Sequence, residues 1–469
     1  MRGVLFVLLF PVPAIAAGQT TATTAQFPLP ASEFNLRTPP PQTIPSAPQV
    51  DFPVPVPAAG RPVKLFDFHP LIGVSEEYAD NFNRTVKNHR ENFRSMLSPG
   101  MNVLMDAGFL TGQATYTISG FYDTAVDEPG YFNTFAGQLS WEATPRLKLN
   151  FGGGVSQNDE PSQADSLGLR QQRRKFTTSN ASLGADWSVS GSVTASPYYR
   201  FLNFSDESGP QTTTQFVGTN VSTSIYQIHT LTVGYEYVTS TTLQATTGSG
   251  TGDSDLQGHR FSASFSRDIS QRMTAGISGG YAFRTQDERG PDAETNFRLW
   301  NVSLFDNYSL PNRIEIRVNI GISKLSTAGD PLVSTASSLS YSLGPAVATV
   351  GVDRGLSETF GGGQNQGVVK TTGATGSLTY PFTPSFRALA SVAYHENEFT
   401  GIGGTPTTTA LGTSPTRTER VLVGSVGVTF QILRWLGSGL EYSYSRTTST
   451  DADGEIMENR VRASLNFAF

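Results

Sequence analysis

The chain has 469 residues, 37% hydrophobic, 11% aromatic and 15% charged, with 47 glycines, 28 prolines and no cysteine. A net charge of −6 argues against nucleic acid as a partner, which needs a basic face, and the missing cysteines exclude disulfide frameworks, thiol catalysis and Cys-based metal sites. Past the N-terminus no apolar run reaches the ~18 residues of a transmembrane helix, and a mean hydropathy of −0.22 also suits a membrane barrel, whose strands turn one face to a polar interior.

Met1-Arg2-Gly3, the apolar run Val4 to Phe10 and the box Ala14-Ile15-Ala16 read as a secretory signal over residues 1–16. Residues 17–65 follow as a linker. Eleven prolines lie between positions 27 and 62, including Pro39-Pro40-Pro41. Proline lacks an amide donor and fixes φ, so this segment joins neither a helix nor a sheet interior. It reads as an extended periplasmic spacer, with a periplasmic partner as the alternative role.

From residue 66 to residue 469 one pattern repeats: alternating segments joined by short and long connections in turn. The short ones are Ala107-Gly108, Thr144-Pro145, Ser190-Gly191-Ser192, Gln227-Ile228-His229, Ser270-Gln271, Pro311-Asn312, Gly344-Pro345, Thr383-Pro384-Ser385 and Arg434-Trp435. Between them lie polar stretches at 79–92, 123–130, 157–172, 205–212, 241–255, 285–294, 325–331, 357–367, 397–416 and 447–457. This arrangement predicts an all-β, antiparallel up-and-down transmembrane β-barrel of about twenty strands, with 18–22 compatible. Short turns face the periplasm and longer loops face outward. A soluble sandwich would show turn signals every ~8–12 residues without that asymmetry.

Single strands carry the same period of two. Ile314, Ile316, Val318, Ile320 and Ile322 alternate with Glu315, Arg317, Asn319, Gly321 and Ser323. Trp141, Trp187 and Trp435 each lie close to a short turn, as an aromatic girdle at one membrane interface requires. Two residues fit less well: Asp306 falls on the lipid-facing side, and Pro197 interrupts a strand, which points to a bulge or a shifted register.

The last strand alternates Val461, Ala463, Leu465, Phe467 and Phe469 with Arg462, Ser464, Asn466 and Ala468. It is expected to close the barrel against the strand near residues 68–78. It looks like a substrate of the bacterial barrel-assembly machinery, which reads a C-terminal Phe preceded by alternating apolar residues. Phe467 and Phe469 are therefore assembly-signal candidates, and that machinery is an expected partner, together with outer-membrane lipid and lipopolysaccharide.

The first barrel segment holds Val74-Ser75-Glu76-Glu77-Tyr78-Ala79-Asp80-Asn81, followed by Leu97-Ser98-Pro99-Gly100. These residues, with Arg173-Arg174-Lys175-Phe176-Thr177-Thr178, resemble a family of outer-membrane β-barrel porins, some of whose members accompany exopolysaccharide or protein-sorting gene clusters. The resemblance covers about a tenth of the chain. It implies the bacterial outer membrane and the barrel fold more than any activity.

Enzyme chemistry finds no foothold. No Gly-x-Ser-x-Gly elbow occurs, and the five histidines (His69, His89, His229, His259, His395) show no metal-ligand spacing. No catalytic residue, cofactor site or metal site is predicted. Asp451-Ala452-Asp453-Gly454-Glu455 has the carboxylates of a Ca²⁺ loop without its full spacing, so it reads as a solvated turn. Arg170, Arg173, Arg174 and Lys175 are candidates for pairing with lipopolysaccharide phosphates. Function is expected in the lumen, where Lys148, Arg200, Glu236, Glu315, Arg317, Arg387, Glu441 and Arg462 are the pore-lining candidates, together with Glu142. Both signs occur, so charge selectivity is expected to be weak unless the charges segregate. The reading is a porin-like channel for passive diffusion of small hydrophilic solutes; the alternatives are a conduit or accessory barrel for exopolysaccharide export and a non-conducting barrel that presents loops.

Overall fold

In the computed structural model the described residues are 65–160, 173–207, 211–243, 254–288, 294–310, 313–326, 330–358, 368–399, 418–450 and 455–469. The expected signal, residues 1–16, and almost all of the linker lie outside them. Ten strands form the first half: β1 (Phe66–Ala79), β2 (Asn92–Asp106), β3 (Leu110–Asp123), β4 (Glu128–Thr144), β5 (Leu147–Asn158), β6 (Phe176–Ser188), β7 (Val193–Asp206), β8 (Gln211–Ile225), β9 (His229–Leu243) and β10 (Ser254–Ser270). The second half is β11 (Met273–Glu288), β12 (Glu294–Leu310), β13 (Ile314–Leu325), β14 (Leu332–Leu343), β15 (Ala346–Glu358), β16 (Val368–Thr383), β17 (Phe386–Phe399), β18 (Thr418–Leu433), β19 (Leu436–Ser449) and β20 (Glu455–Ala468).

Every strand pairs antiparallel with its sequence neighbours, and β1 closes the 20-stranded sheet against β20, from Leu71 opposite Ala468 to Ala79 opposite Arg460. Closure leaves no sheet edge, so every strand has a partner on both sides. Outward rows are apolar and exposed: Val302, Leu304, Ile320, Ile322, Val461 and Leu465 all stand open. Exposed apolar residues of this kind recur on every strand pair, far beyond the few hundred Å² a soluble monomer tolerates, and lipid is the solvent that suits them. Trp141, Trp187 and Trp435 are part of this outer surface at the short-turn end, and Trp435 stacks on Phe467 and Phe469 at centroid distances of 6.1 and 5.9 Å. At two of the tight turns Gly108 and Gly344 take φ of +77° and +60°, which an L side chain resists.

The strands run from 12 to 17 residues, longer than the ~9–11 that cross a bilayer. The ladders continue into the polar stretches on the loop side, so some stretches expected to be long loops are tight connections. Residues 123–130 are the clearest case: the ladder runs to the pair Asp123–Glu128, and Asp127 turns the chain with φ +59°. Pro197 and Pro99 each break a ladder on one side only. Pro197 pairs with Thr219 of β8 while the β6 ladder skips from Gly184–Tyr198 to Trp187–Ala195, and Pro99 pairs with Ile72 of β1 while the β3 ladder skips from Leu97–Gly120 to Gly100–Thr117. The missing N–H accounts for both interruptions. Asp306 lies on the outward row, opposite Ala275 and Val318, near the short-turn end of β12.

Candidate functional site: the barrel lumen

Twenty strands spaced about 4.8 Å apart and tilted near 40° close a ring roughly 40 Å across, wide enough for an aqueous interior. Because facing residues in a ladder point the same way, the register places the inward charges. Glu441 of β19 stands opposite Arg462 of β20, Arg462 opposite Glu77 of β1, Glu77 opposite Arg94 of β2, and Arg94 opposite Asp123 of β3. This row alternates in sign across five strands and spans the seam where the two ends of the chain meet.

The other candidate pore-lining residues also lie on inward rows. Lys148 faces Glu142 and Asp186 across neighbouring strands. Glu315 and Arg317 lie 3.5 Å apart, with more than half of each side chain exposed to the interior near the short-turn end, and Arg387 stands opposite Thr429. At mid-height Glu236 accepts hydrogen bonds from Tyr198 Oη and Arg200 Nη2, each at 2.8 Å, and pairs with Arg260 Nη1 at 3.3 Å. Arg200 lies over the Phe216 ring at 4.6 Å.

Towards the loop end the interior is knitted together beside the seam. Asp80 accepts from the backbone and side-chain amides of Asn459 at 2.7 and 2.6 Å, and Asn81 donates to the Met457 carbonyl at 2.8 Å. These bonds bring the 80–91 connection against β20. Arg84, in the left-handed region at φ +50°, then reaches Glu458 at 3.7 Å and Glu160 at 3.9 Å. Arg173 meets Glu458 at 2.8 Å and Glu160 at 3.2 Å, and Arg460 meets Glu160 at 2.8 Å. All five side chains are at least nine-tenths buried. Arg94 extends the network, bonding Asp123 through Nε and Nη2 and Asp159 through Nη1 and Nη2. The Phe82 ring lies between Arg173 and Arg94, at 4.7 and 5.3 Å from their guanidinium carbons. Four arginines thus face four carboxylates in a buried patch, a neutral arrangement that offsets the desolvation of each ion.

Burial alone would raise the Glu160 carboxyl, yet Arg460, Arg173 and Arg84 hold it well below the usual carboxylate range. Asp159 is likewise held below its ordinary value against burial, by hydrogen bonds and charge from Arg94. Burial pushes the Arg84 guanidinium down, whereas Glu160 and Glu458 carry Arg173 upward against the same penalty.

Of the candidates for lipopolysaccharide phosphates, Arg173 has its guanidinium buried in the mouth against Glu160 and Glu458. Arg170 lies outside the described residues, as do Asp451 to Gly454, and Lys175 sits over the Tyr131 ring at 4.9 Å. Inward rows are not uniformly polar either. Val238, Leu256, Ala282, Phe297, Leu299 and Leu325 form a buried apolar cluster on the wall from β9 to β13. Arg84, Arg94, Glu160, Glu458 and Arg460 carry no motif that marks them, and inward parity is the one signal in the sequence for Arg94, Glu458 and Arg460; Arg173 is marked only as part of a basic cluster.

No family model and no curated protein matches the chain. Among solved structures, the ferric-catecholate import receptor Fiu of E. coli K12 in its open form aligns at a TM-score of 0.50 with 10% identity, over 85% of this chain and 81% of that one. The FrpB iron transporter of Neisseria meningitidis, F5-1 variant, gives 0.49 at 10% identity over 86% and 83%. The siderophore receptor PirA of Pseudomonas aeruginosa gives 0.45 at 11% over 87% and 81%. At such identities the likeness to Fiu is one of fold alone; the closed 20-stranded barrel of this chain fits an outer-membrane protein.

Proposed function

We propose that the chain is a porin-like channel of the bacterial outer membrane, through which small hydrophilic solutes diffuse passively. Short turns and both ends of the described barrel, at β1 and β20, face the periplasm, loops face outward, and lipid and lipopolysaccharide surround the outer wall. The observation that carries this reading is the change along the lumen. Near the short turns, inward charges such as Glu315 and Arg317 remain open to solvent, while towards the loops Arg84, Arg173, Glu160 and Glu458 are buried together. A wide polar interior passes small hydrophilic solutes, and mixed charge in the walls favours neither ion strongly.

The buried mouth also favours a second reading, a non-conducting barrel that presents its loops. Purified protein in planar bilayers separates the two. A channel gives discrete conductance steps that grow when the mouth network is broken. Absence of steps in the wild type and in mouth variants that still show the heat-dependent gel mobility of a folded barrel leaves the non-conducting reading.

A further inference from the structure

His395 of β17 is fully buried, and among the described residues neither of its ring nitrogens has a hydrogen-bond partner. A buried imidazole whose nitrogens lack partners is costly to fold unless something satisfies them. Two strands away, on the same inward row, stands Asp353 of β15, only 7% exposed. The residue between them in the ladder is Gly373 of β16, opposite Asp353 on one side and His395 on the other. A Cβ at Gly373 would fall 2.6 Å from both Asp353 Oδ1 and His395 Nδ1, and 2.9 Å from Asp353 Oδ2. The carboxylate and the imidazole therefore converge on the space above a residue that has no side chain to fill it.

We propose that Asp353 and His395 form a binding site for a divalent transition-metal ion above Gly373, in the wall of the lumen. One imidazole nitrogen and one carboxylate are the donor set that borderline ions such as Zn²⁺ and Cu²⁺ accept, with water completing the coordination. An ion held there needs ligand distances of about 2.0–2.2 Å from the carboxylate and the imidazole, the two groups that border the space above Gly373. The surrounding charge suits a cation. Glu419 of β18 is buried on the inward face two positions beyond Val421, the residue opposite His395. The inward cation on β17, Arg387, lies at the far, short-turn end of that strand. The outward cations Lys370 and Arg420 pair with Glu398 and Glu396 on the other side of the sheet.

The test is equilibrium binding of Zn²⁺ to tag-free full-length protein in detergent, with Cu²⁺ paramagnetic resonance as a second measurement. The expected result is one ion per chain and a Cu²⁺ spectrum showing imidazole nitrogen. H395A and D353N should each weaken Zn²⁺ binding at least tenfold. Gly373→Ala keeps both ligands but puts a methyl group between them, and it should weaken binding by a similar factor. Heat-dependent gel mobility reports whether each variant is folded. Absence of stoichiometric Zn²⁺ binding by the wild type overturns the proposal whether or not any variant folds. So does binding that survives H395A unchanged, which would place the ion at another histidine.

Discussion

Arg462 on the last strand stands directly opposite Glu77 on the first, with Glu441 opposite Arg462 on its other side. One guanidinium therefore lies between two carboxylates at the seam where the two ends of the chain meet. Like charges placed opposite one another in a ladder repel. Arg462→Glu creates three adjacent carboxylates, and it is expected to lower the stability of the closed barrel by about 1–3 kcal/mol. The measurement is the urea midpoint for loss of the folded gel band in detergent. Adding Glu441→Arg to Arg462→Glu leaves one like-charged contact in place of two, since Gly427 is the other neighbour of position 441, and should recover part of the loss; an unchanged midpoint in the single variant contradicts a role for the row.

The mouth network makes a different prediction. Glu458 meets Arg84 and Arg173 with its own carboxylate almost wholly buried. Glu458→Ala leaves Arg84, Arg173 and Arg460 around Glu160 alone, and removing one partner from a buried ion cluster costs about 3–5 kcal/mol. That cost falls on the docking of the 80–91 connection rather than on the ladders below it. Trypsin should then cut at Arg84 or Lys87 at least ten times faster than in the wild type, with the barrel itself intact. Equal cleavage rates would show that the ions do not hold the mouth.

The period-two rows, the position of nearly every turn and the closing pair of strands were legible in the sequence, because inward and outward residues alternate under one rule. The mouth was not. Arg84 and Arg173 lie in connections, where no period fixes the direction of a side chain, and their partners Glu160 and Glu458 are far away in sequence. Arg173 illustrates the difficulty: beside Phe176 it looked like part of a basic outer rim, and only the arrival of Glu160 and Glu458 turns it inward. His395 was equally opaque. Isolated among scattered histidines, it gains meaning from Asp353 through the ladder register and from the absence of a side chain at Gly373. The reach of the ladders into the polar stretches is hidden for a related reason, since polar residues continue a ladder as readily as they form a loop.

Acid should open the mouth late. The Asp159 and Glu160 carboxyls are held below their unfolded values by the arginines around them. A depressed folded pKa contributes stability that is fully present above the unfolded pKa, near 4, and is lost as pH falls through the folded value. Amide hydrogen exchange in 80–91 should therefore be equally protected at neutral pH and at about pH 5, with protection lost only below about pH 4. Loss of protection between pH 7 and pH 5 would mean that these carboxylates do not govern the docked state.

The C-terminal aromatics make the last prediction, which concerns assembly. Trp435, in the turn before β19, stacks on Phe467 and Phe469, and the backbone fixes the same corner: Ala468 N–H donates to the Trp435 carbonyl at 3.0 Å and Phe469 N–H to the Pro70 carbonyl at 3.1 Å. The aromatic cluster thus sits where β20 must meet both β19 and β1 for the ring to close. Aromatic pairs contribute about 0.5–1.5 kcal/mol beyond their buried area, so Phe469→Ala should shift the finished barrel's unfolding midpoint only slightly. If Phe469 is also an address for the assembly machinery, the same variant should fold several-fold more slowly into vesicles that contain the machinery, while its folding into pure lipid slows far less. Trp435→Ala removes the stacking and keeps the terminal Phe, so it should slow both reactions alike. A Phe469→Ala variant whose two rates fall by the same factor would assign the residue to packing and withdraw its role as a recognition signal.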